Sequence, residues 1–527
     1  MRQLTHPTIT AFGIAVLGCA PLIGPLISPN HLWVYHQSEP TASIFLAVLL
    51  DVLLLWALLT GVFLLARRHG RVRVVVWSAM VLMLPSLVLI EGVVLRAWSV
   101  PLWLEAGLFF VSLLCWITLI ALWRQSFLPV FERVERVATI LLAYAAISGV
   151  ASVAQMIWCF ARAGDSNTPI ALHQDANSGL ARGDRPKIIW IILDELSYQQ
   201  LYERRFPGLA LPAFDRLARQ STVFTHVVPA GLFTEKVLPS LISGAAVDKI
   251  RSSPGGRMLM VHHPAGDQWL LFDEHQTVFQ DALDRGYSTA VAGWYIPYCR
   301  ILPQVLDHCF WSSHTVPLAR RMETDATVLQ NAAAPWRNIA DLLYAISHRQ
   351  SGQAVANTDA SRHLEDYREL SFTGDRFLED PSINFLLLHM PIPHPPGIYG
   401  REKKDCATCG SSYIDNLALA DRYLDHIYVQ LERSGAWDSA TVVVMGDHSW
   451  RAHLQRNGTA QWWTAEDEAA SHGGEFDDRP AYIVKLPRQT KGFRIETPFP
   501  ALRTRELLRK MMSGEVRSPE DLAVFAR

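Results

Sequence analysis

Lys187-Ile188-Ile189-Trp190-Ile191-Ile192-Leu193-Asp194-Glu195 is the stretch on which the fold of this chain turns. Residues 187–193 form a continuous run rich in β-branched side chains, with no polar alternation. That pattern suits a strand covered on both faces, as in a parallel sheet. The run ends abruptly at two carboxylates. Similar runs recur at 382–388, 441–445 and 481–485, and a helical apolar spacing spans Asp415 to Leu431 between them. Strands alternating with helices predict an α/β domain with a mainly parallel central sheet over residues 187–527.

In open α/β sheets, chemistry gathers beyond the carboxyl ends of the strands. The first strand delivers Asp194 and Glu195 there. The second reaches His389, followed by Pro391, Pro393 and His394, and the third reaches Gly446-Asp447-His448. Three strands thus bring Asp or His to one edge, a set suited to a divalent metal. Mixed carboxylate and imidazole donors favour zinc or manganese over calcium. His262, His263, His308 and His314 stand outside this pattern and are read as structural or surface residues.

Towards the N-terminus the composition changes. The 527 residues are 50% hydrophobic and only 19% charged, and apolar residues dominate positions 1–160. Five stretches, at 8–28, 42–66, 74–95, 101–123 and 137–160, are long enough to cross a bilayer as helices, which takes roughly 20 residues. Arg67, Arg68, Arg71 and Arg73 lie between the second and third stretches, and Arg124, Arg133 and Arg136 between the fourth and fifth. Basic connections stay cytoplasmic. A multi-pass protein of the inner (cytoplasmic) membrane follows, with its N-terminus inside and its C-terminal domain outside. The first stretch is read as a retained helix rather than a cleaved signal. Asp51 and Glu91 within the spans are read as packing residues, no basic residue standing at a matching depth. Residues 161–186, rich in Ala, Gly, Asp and Asn, read as a flexible linker.

A formal net charge of −2 without basic runs gives no sign of nucleic-acid binding. Cys299, Cys309, Cys406 and Cys409 fall in the outer half, where disulfides persist. Four cysteines allow three pairings, and the short spacings favour Cys299 with Cys309 and Cys406 with Cys409.

The order of these motifs resembles the sulfatase-like branch of the alkaline phosphatase superfamily across roughly residues 186–490. Ile191-Ile192-Leu193-Asp194 resembles its first metal-binding strand. Leu211 to Ala218, followed by Val223-Phe224-Thr225, resembles the approach to the nucleophile. Thr234 stands ten residues before Gly244 as the nucleophile does in that family, and Gly446-Asp447-His448-Ser449 resembles the second metal motif. The resemblance implies Asp194, Thr234, Asp447 and His448 as metal ligands, Thr234 as nucleophile, and His394 and His472 as catalytic histidines near the transferred group. The sequence also departs from the main sulfatase pattern. Thr234 replaces the residue converted to an aldehyde, and Leu238 stands at the family's arginine. Glu195 replaces an aspartate, and Trp294-Tyr295 replace a lysine-containing element. These departures fit the threonine-using membrane branch that includes phosphoethanolamine transferases and lipoteichoic acid synthases, although that branch has Glu at the position of Asp194.

What the resemblance implies is a metal-dependent phosphotransferase working through a phospho-Thr234 intermediate, between a membrane lipid donor and an envelope glycan or lipid acceptor. Lys236 and Arg451 are candidates for offsetting anionic charge, each set against the reading of a solvated surface cation. The alternatives are a membrane-bound sulfatase-like hydrolase of phosphate or sulfate esters, and an inactive sensor or scaffold.

Overall fold

The computed structural model describes residues 2–27, 42–66, 70–77, 127–163, 172, 185–252, 258–312, 314, 327–336, 351–401, 411–458 and 462–527. The chain forms two units. One comprises residues 1–29, 38–168 and 317–354; the other comprises 30–37, 169–316 and 355–527.

The first unit is helical. Two described helices, Ala42–Ala66 and Glu135–Trp158, are long and apolar enough to cross a membrane, and a shorter apolar helix covers Pro7–Ala20. They correspond to the second, fifth and first expected spans. Of the third span only the start is described, in the helix Gly70–Trp77. The rest of it, the fourth span with Cys115, Glu91, and all of the linker but residues 161–163, 172, 185 and 186 lie outside the described residues, so the count of five spans stays an expectation. Ala11, Ile14, Ala15, Leu59, Phe63 and Leu142 pack between the helices. Gly13 permits that approach, because a Cβ there would lie 2.4 Å from the carbonyl oxygen of Leu142. Leu58, Leu65, Ile140 and Ile147 instead remain exposed. Asp51 is buried and accepts a hydrogen bond from Trp336 Nε1 at 3.0 Å. Its other oxygen, Oδ2, has no hydrogen-bond partner among the described residues.

The second unit is built on an eight-stranded sheet. Along the chain its strands are β1 (Ile188–Leu193), β2 (Thr222–Phe224), β3 (Thr289–Trp294), β4 (His308–Ser312), β5 (Phe385–Met390), β6 (Thr441–Met445), β7 (Tyr482–Lys485) and β8 (Phe493–Ile495). Their spatial order is β8-β2-β7-β6-β1-β5-β3-β4. Every pairing is parallel except those of β7, which runs against β6 and β2.

The unalternating run of β1 now has its reason. Ile188, Trp190 and Ile192 pack into the core on one face of the sheet, with Val237 and Leu241. Ile189, Ile191 and Leu193 pack into the core on the other face, with Phe214 and Leu417. Each such buried side chain contributes about 1.5–3 kcal/mol over its exposed state. The helix expected at 415–431 spans Tyr413–Arg433, opened by a reciprocal cap between Ser412 and Asp415.

One boundary differs from the sequence reading. The strand expected at 382–388 is β5 at 385–390. Ser382 turns back instead, its backbone N–H and hydroxyl both donating to Asp380 Oδ1 at 2.8 and 2.6 Å. The strand then continues through His389 and Met390 because β1 and β3 pair with it on both sides.

Candidate active site and metal centre

β1 lies between β5 and β6, with Ile192 level with both His389 and Met445. Parallel register therefore sets the ends of three strands side by side. Asp194 follows β1, and Asp447 and His448 follow β6; all three are fully buried. Thr234 arrives from elsewhere, as the first residue of the helix Thr234–Ser243. Its Oγ1 lies 3.1 Å from Asp194 Oδ2, 2.8 Å from Asp447 Oδ2 and 3.2 Å from His448 Nε2. The structure thus brings the four expected ligands together. The positive end of the helix dipole faces that hydroxyl and favours its ionised form.

The electrostatics ask for a cation. Burial pushes the Asp194 carboxyl well above the usual range, and the charges of Asp447 and Glu195 push it further. Asp447 is raised too, again chiefly by burial. His448 is pushed down to about 3 by burial and by Arg451. Asp194 Oδ1 has no hydrogen-bond partner among the described residues. A carboxylate pair, a neutral imidazole and a hydroxyl, with one orphaned oxygen, fit a divalent metal, and the ligand atoms of Asp194, Asp447 and His448 lie within 4.8 Å of one another.

Two residues take sharper roles in the structure than the sequence gives them. His389 belongs to the strand-end set that the sequence offers to a metal, without a role of its own among the four expected ligands. It is buried inside β5, its Nε2 is 3.6 Å from Asp194 Oδ2, and that nitrogen has no partner among the described residues. Its Nδ1 meets the Tyr298 hydroxyl at 2.9 Å. Gly293, level with His389 in β3, makes room for that tyrosine: a Cβ there would lie 2.2 Å from the Tyr298 ring. Arg451 is not a solvated surface charge. Its side chain is 13% exposed, and its Nε donates to Glu195 Oε1 at 2.6 Å. The same guanidinium donates to the carbonyl of Leu232, just before the nucleophile, and to His394 Nε2 at 3.3 Å. Gln455 Nε2 donates to the other Glu195 oxygen at 2.5 Å. No local signal links positions 195 and 451, which come together only through the sheet.

His394 sits beside this pair, 4.0 Å from Glu195. Its Nδ1 donates to the Pro395 carbonyl and its Nε2 accepts from Arg451. So held, it is neutral and a proton acceptor; burial and Arg451 keep it well below its ordinary pKa. His363 is a buried neighbour whose Nε2 donates to the His394 carbonyl at 3.0 Å.

His472 is not bonded to this set. It is exposed, in a left-handed turn (φ 51°) after the helix Ala465–Ala470. Among the described residues, no hydrogen bond or ion pair joins it to Asp194, Thr234, Asp447 or His448. Lys236 lies 5.0 Å over the Phe233 ring. The Cys299–Cys309 disulfide is formed as expected, while Cys406 and Cys409 lie outside the described residues.

No protein-family model matches this chain, and no curated protein does. Solved structures do. A phosphonate monoester hydrolase of Agrobacterium radiobacter is 14% identical over 62% of this chain and 74% of its own, with a TM-score of 0.36. A lipoteichoic acid synthase from Listeria monocytogenes is 13% identical over 69% of this chain and 80% of its own, with a TM-score of 0.36. A sulfatase from a Pseudoalteromonas species is 12% identical over 63% of this chain and 68% of its own, with a TM-score of 0.41. These similar structures are all members of the alkaline phosphatase superfamily. At such low identity and overlap, the functional reading rests on the side chains just described.

Proposed function

We propose that this protein is a membrane-anchored, metal-dependent phosphotransferase that uses Thr234 as its nucleophile. The observation that carries the reading is the placement of Thr234 Oγ1: at a helix N-terminus, within 3.2 Å of Asp194, Asp447 and His448. Asp194, Thr234, Asp447 and His448 are the residues that would hold the metal, zinc or manganese by their donor types. A divalent ion there would lower the pKa of the hydroxyl and offset charge developing on phosphate oxygens.

The rest falls to the chain itself. Thr234 Oγ1 attacks phosphorus in line, forming a Thr234–O–P bond as the P–O bond to the donor alcohol breaks. Asp447 Oδ2, the closest acceptor at 2.8 Å, takes the threonine proton and gives it up to the departing alkoxide, which leaves as the alcohol. An acceptor hydroxyl then attacks the phosphorus as the Thr234–O–P bond breaks, its proton passing by way of His394 and solvent to Thr234 Oγ1, and the threonine hydroxyl is restored. Arg451, bound to Glu195, holds the Leu232 carbonyl and so the entry to the nucleophile helix.

A lipid donor is supported by Leu232 and Phe233, which are 37% and 38% exposed immediately before the nucleophile. It is supported too by the two apolar helices of the first unit. An envelope glycan or lipid would be the acceptor, on the outer face of the inner membrane.

The test is mass spectrometry of the metal-loaded full chain after exposure to total membrane phospholipids. A phosphoryl-containing adduct on Thr234, absent from Thr234→Ala, is expected, with transfer lowered by at least about 10³-fold in that variant. Head-group release without acceptor modification would establish the hydrolase instead. Turnover unchanged by Thr234→Ala would defeat both.

A further inference from the structure

The helices Ser351–Glu379 and Tyr413–Arg433 carry polar chemistry that the Thr234 centre does not use. On the first, His363, Tyr367, Ser371 and Asp375 recur every four residues and share a face. On the second, Asn416, Leu419, Tyr423 and His426 share another. One end of both stripes belongs to the site already described: His363 Nε2 and Asn416 Nδ2 each donate to the His394 carbonyl at 3.0 Å. Further along, the stripes enclose a cavity of about 330 Å³, which Tyr399, from the loop that bears His394, also lines. That volume lies within the roughly 300–1,000 Å³ of small-molecule sites.

The lining has an unmet hydrogen-bonding demand. Tyr423 is 3% exposed, and its buried hydroxyl has no hydrogen-bond partner among the described residues. Such a group is costly to bury without a partner. The Tyr367 ring packs edge-on to Tyr423 at 6.3 Å. Arg422, exposed at the mouth, lies over the Tyr399 ring and donates to its hydroxyl at 3.0 Å. His426, also exposed, pairs with Asp375 at 2.9 Å.

Charge decides the ligand class. One guanidinium and one carboxylate line the cavity, so neither a phosphate nor a cation finds a net complement. Aromatic faces combined with hydroxyl, guanidinium and carboxylate groups suit a neutral ring rich in hydroxyls. We propose that this cavity is a subsite for a neutral sugar ring, and, resting on the transfer reading above, that it seats the glycan acceptor beside the loop of His394.

The test uses the metal-loaded full chain in a detergent without sugar, lauryldimethylamine oxide. Methyl α-D-glucopyranoside, methyl α-D-mannopyranoside and methyl N-acetyl-β-D-glucosaminide are the probes, with inorganic phosphate as the contrast, read by saturation-transfer NMR. At least one glycoside is expected to bind, and Tyr423→Phe and Arg422→Gln are each expected to weaken it about 10-fold at a thermal midpoint no lower than that of the unaltered chain. Three results would overturn the assignment: no glycoside bound, glycoside binding indifferent to both variants, or displacement of the glycoside by phosphate. The two readings separate in the wild-type chain. Glycoside binding without a Thr234 adduct leaves the sugar site and removes the transferase. An adduct without glycoside binding does the reverse.

Discussion

Asp194 and Glu195 adjoin in the chain and are both sealed from solvent, yet they sit in opposite electrostatic surroundings. Asp194 faces Asp447, Thr234 and two neutral imidazoles, with no Lys or Arg hydrogen-bonded to it among the described residues. Glu195 enters the left-handed region (φ 66°), and its carboxylate is met by Arg451 and Gln455. Its backbone N–H still serves the first site by donating to Asp447 Oδ1 at 3.1 Å. The ligand atoms of Asp194, Glu195 and His394 also converge within 4.8 Å, but there a guanidinium already supplies the positive charge. The difference teaches where a cation is owed. One carboxylate has its counter-ion built into the chain, and its neighbour has to bind one.

The comparison is broken most severely at Arg451. Arg451→Met leaves Glu195 buried and uncompensated, and should cost about 3–5 kcal/mol of unfolding free energy. The double variant Glu195→Gln with Arg451→Met should recover most of that in urea titrations; a double variant as unstable as the single one would show that packing, not charge, dominates. Asp194→Asn should act in the opposite sense. Metal affinity falls by about 100-fold or more, while the metal-free protein unfolds at an unchanged or higher temperature because a repulsive charge has gone. Calorimetric metal titration and thermal melts of the stripped protein check the two halves. His389→Gln should lower metal affinity about 10–100-fold, the range for groups that orient a ligand. A cobalt-loaded protein with an unaltered visible spectrum would deny His389 that place. The smallest effect belongs to His472→Ala, which should change turnover by less than about twofold; a larger loss would bring the exposed turn into the site.

Much of this was legible beforehand, for a local reason. Metal-site donors at strand ends announce themselves because a buried run and the polar residue that ends it are contiguous, as at Leu193-Asp194 and Met445-Gly446-Asp447. Thr234 was reached only through motif resemblance, since a loop threonine has no periodicity of its own. His472 came by the same route: a Gly-flanked histidine before a strand fits several local structures, and here it takes an exposed turn. The strand at 385–390 was set three residues early because Ser382 and Ile383 look extended in sequence, whereas the Asp380 side chain folds Ser382 into a turn.

By itself the sequence determined that residues 187–193 form a strand covered on both faces and that Asp194, Asp447 and His448 stand at strand ends. Those properties follow from burial patterns only a few residues long. Only the tertiary structure decided that His389 turns towards Asp194, that Arg451 neutralises Glu195 across 256 positions, and that two helices enclose a polar cavity beside the loop of His394. Each depends on distant segments meeting, and the free energy of a buried charge or hydroxyl is set by what packs against it rather than by its neighbours in the chain.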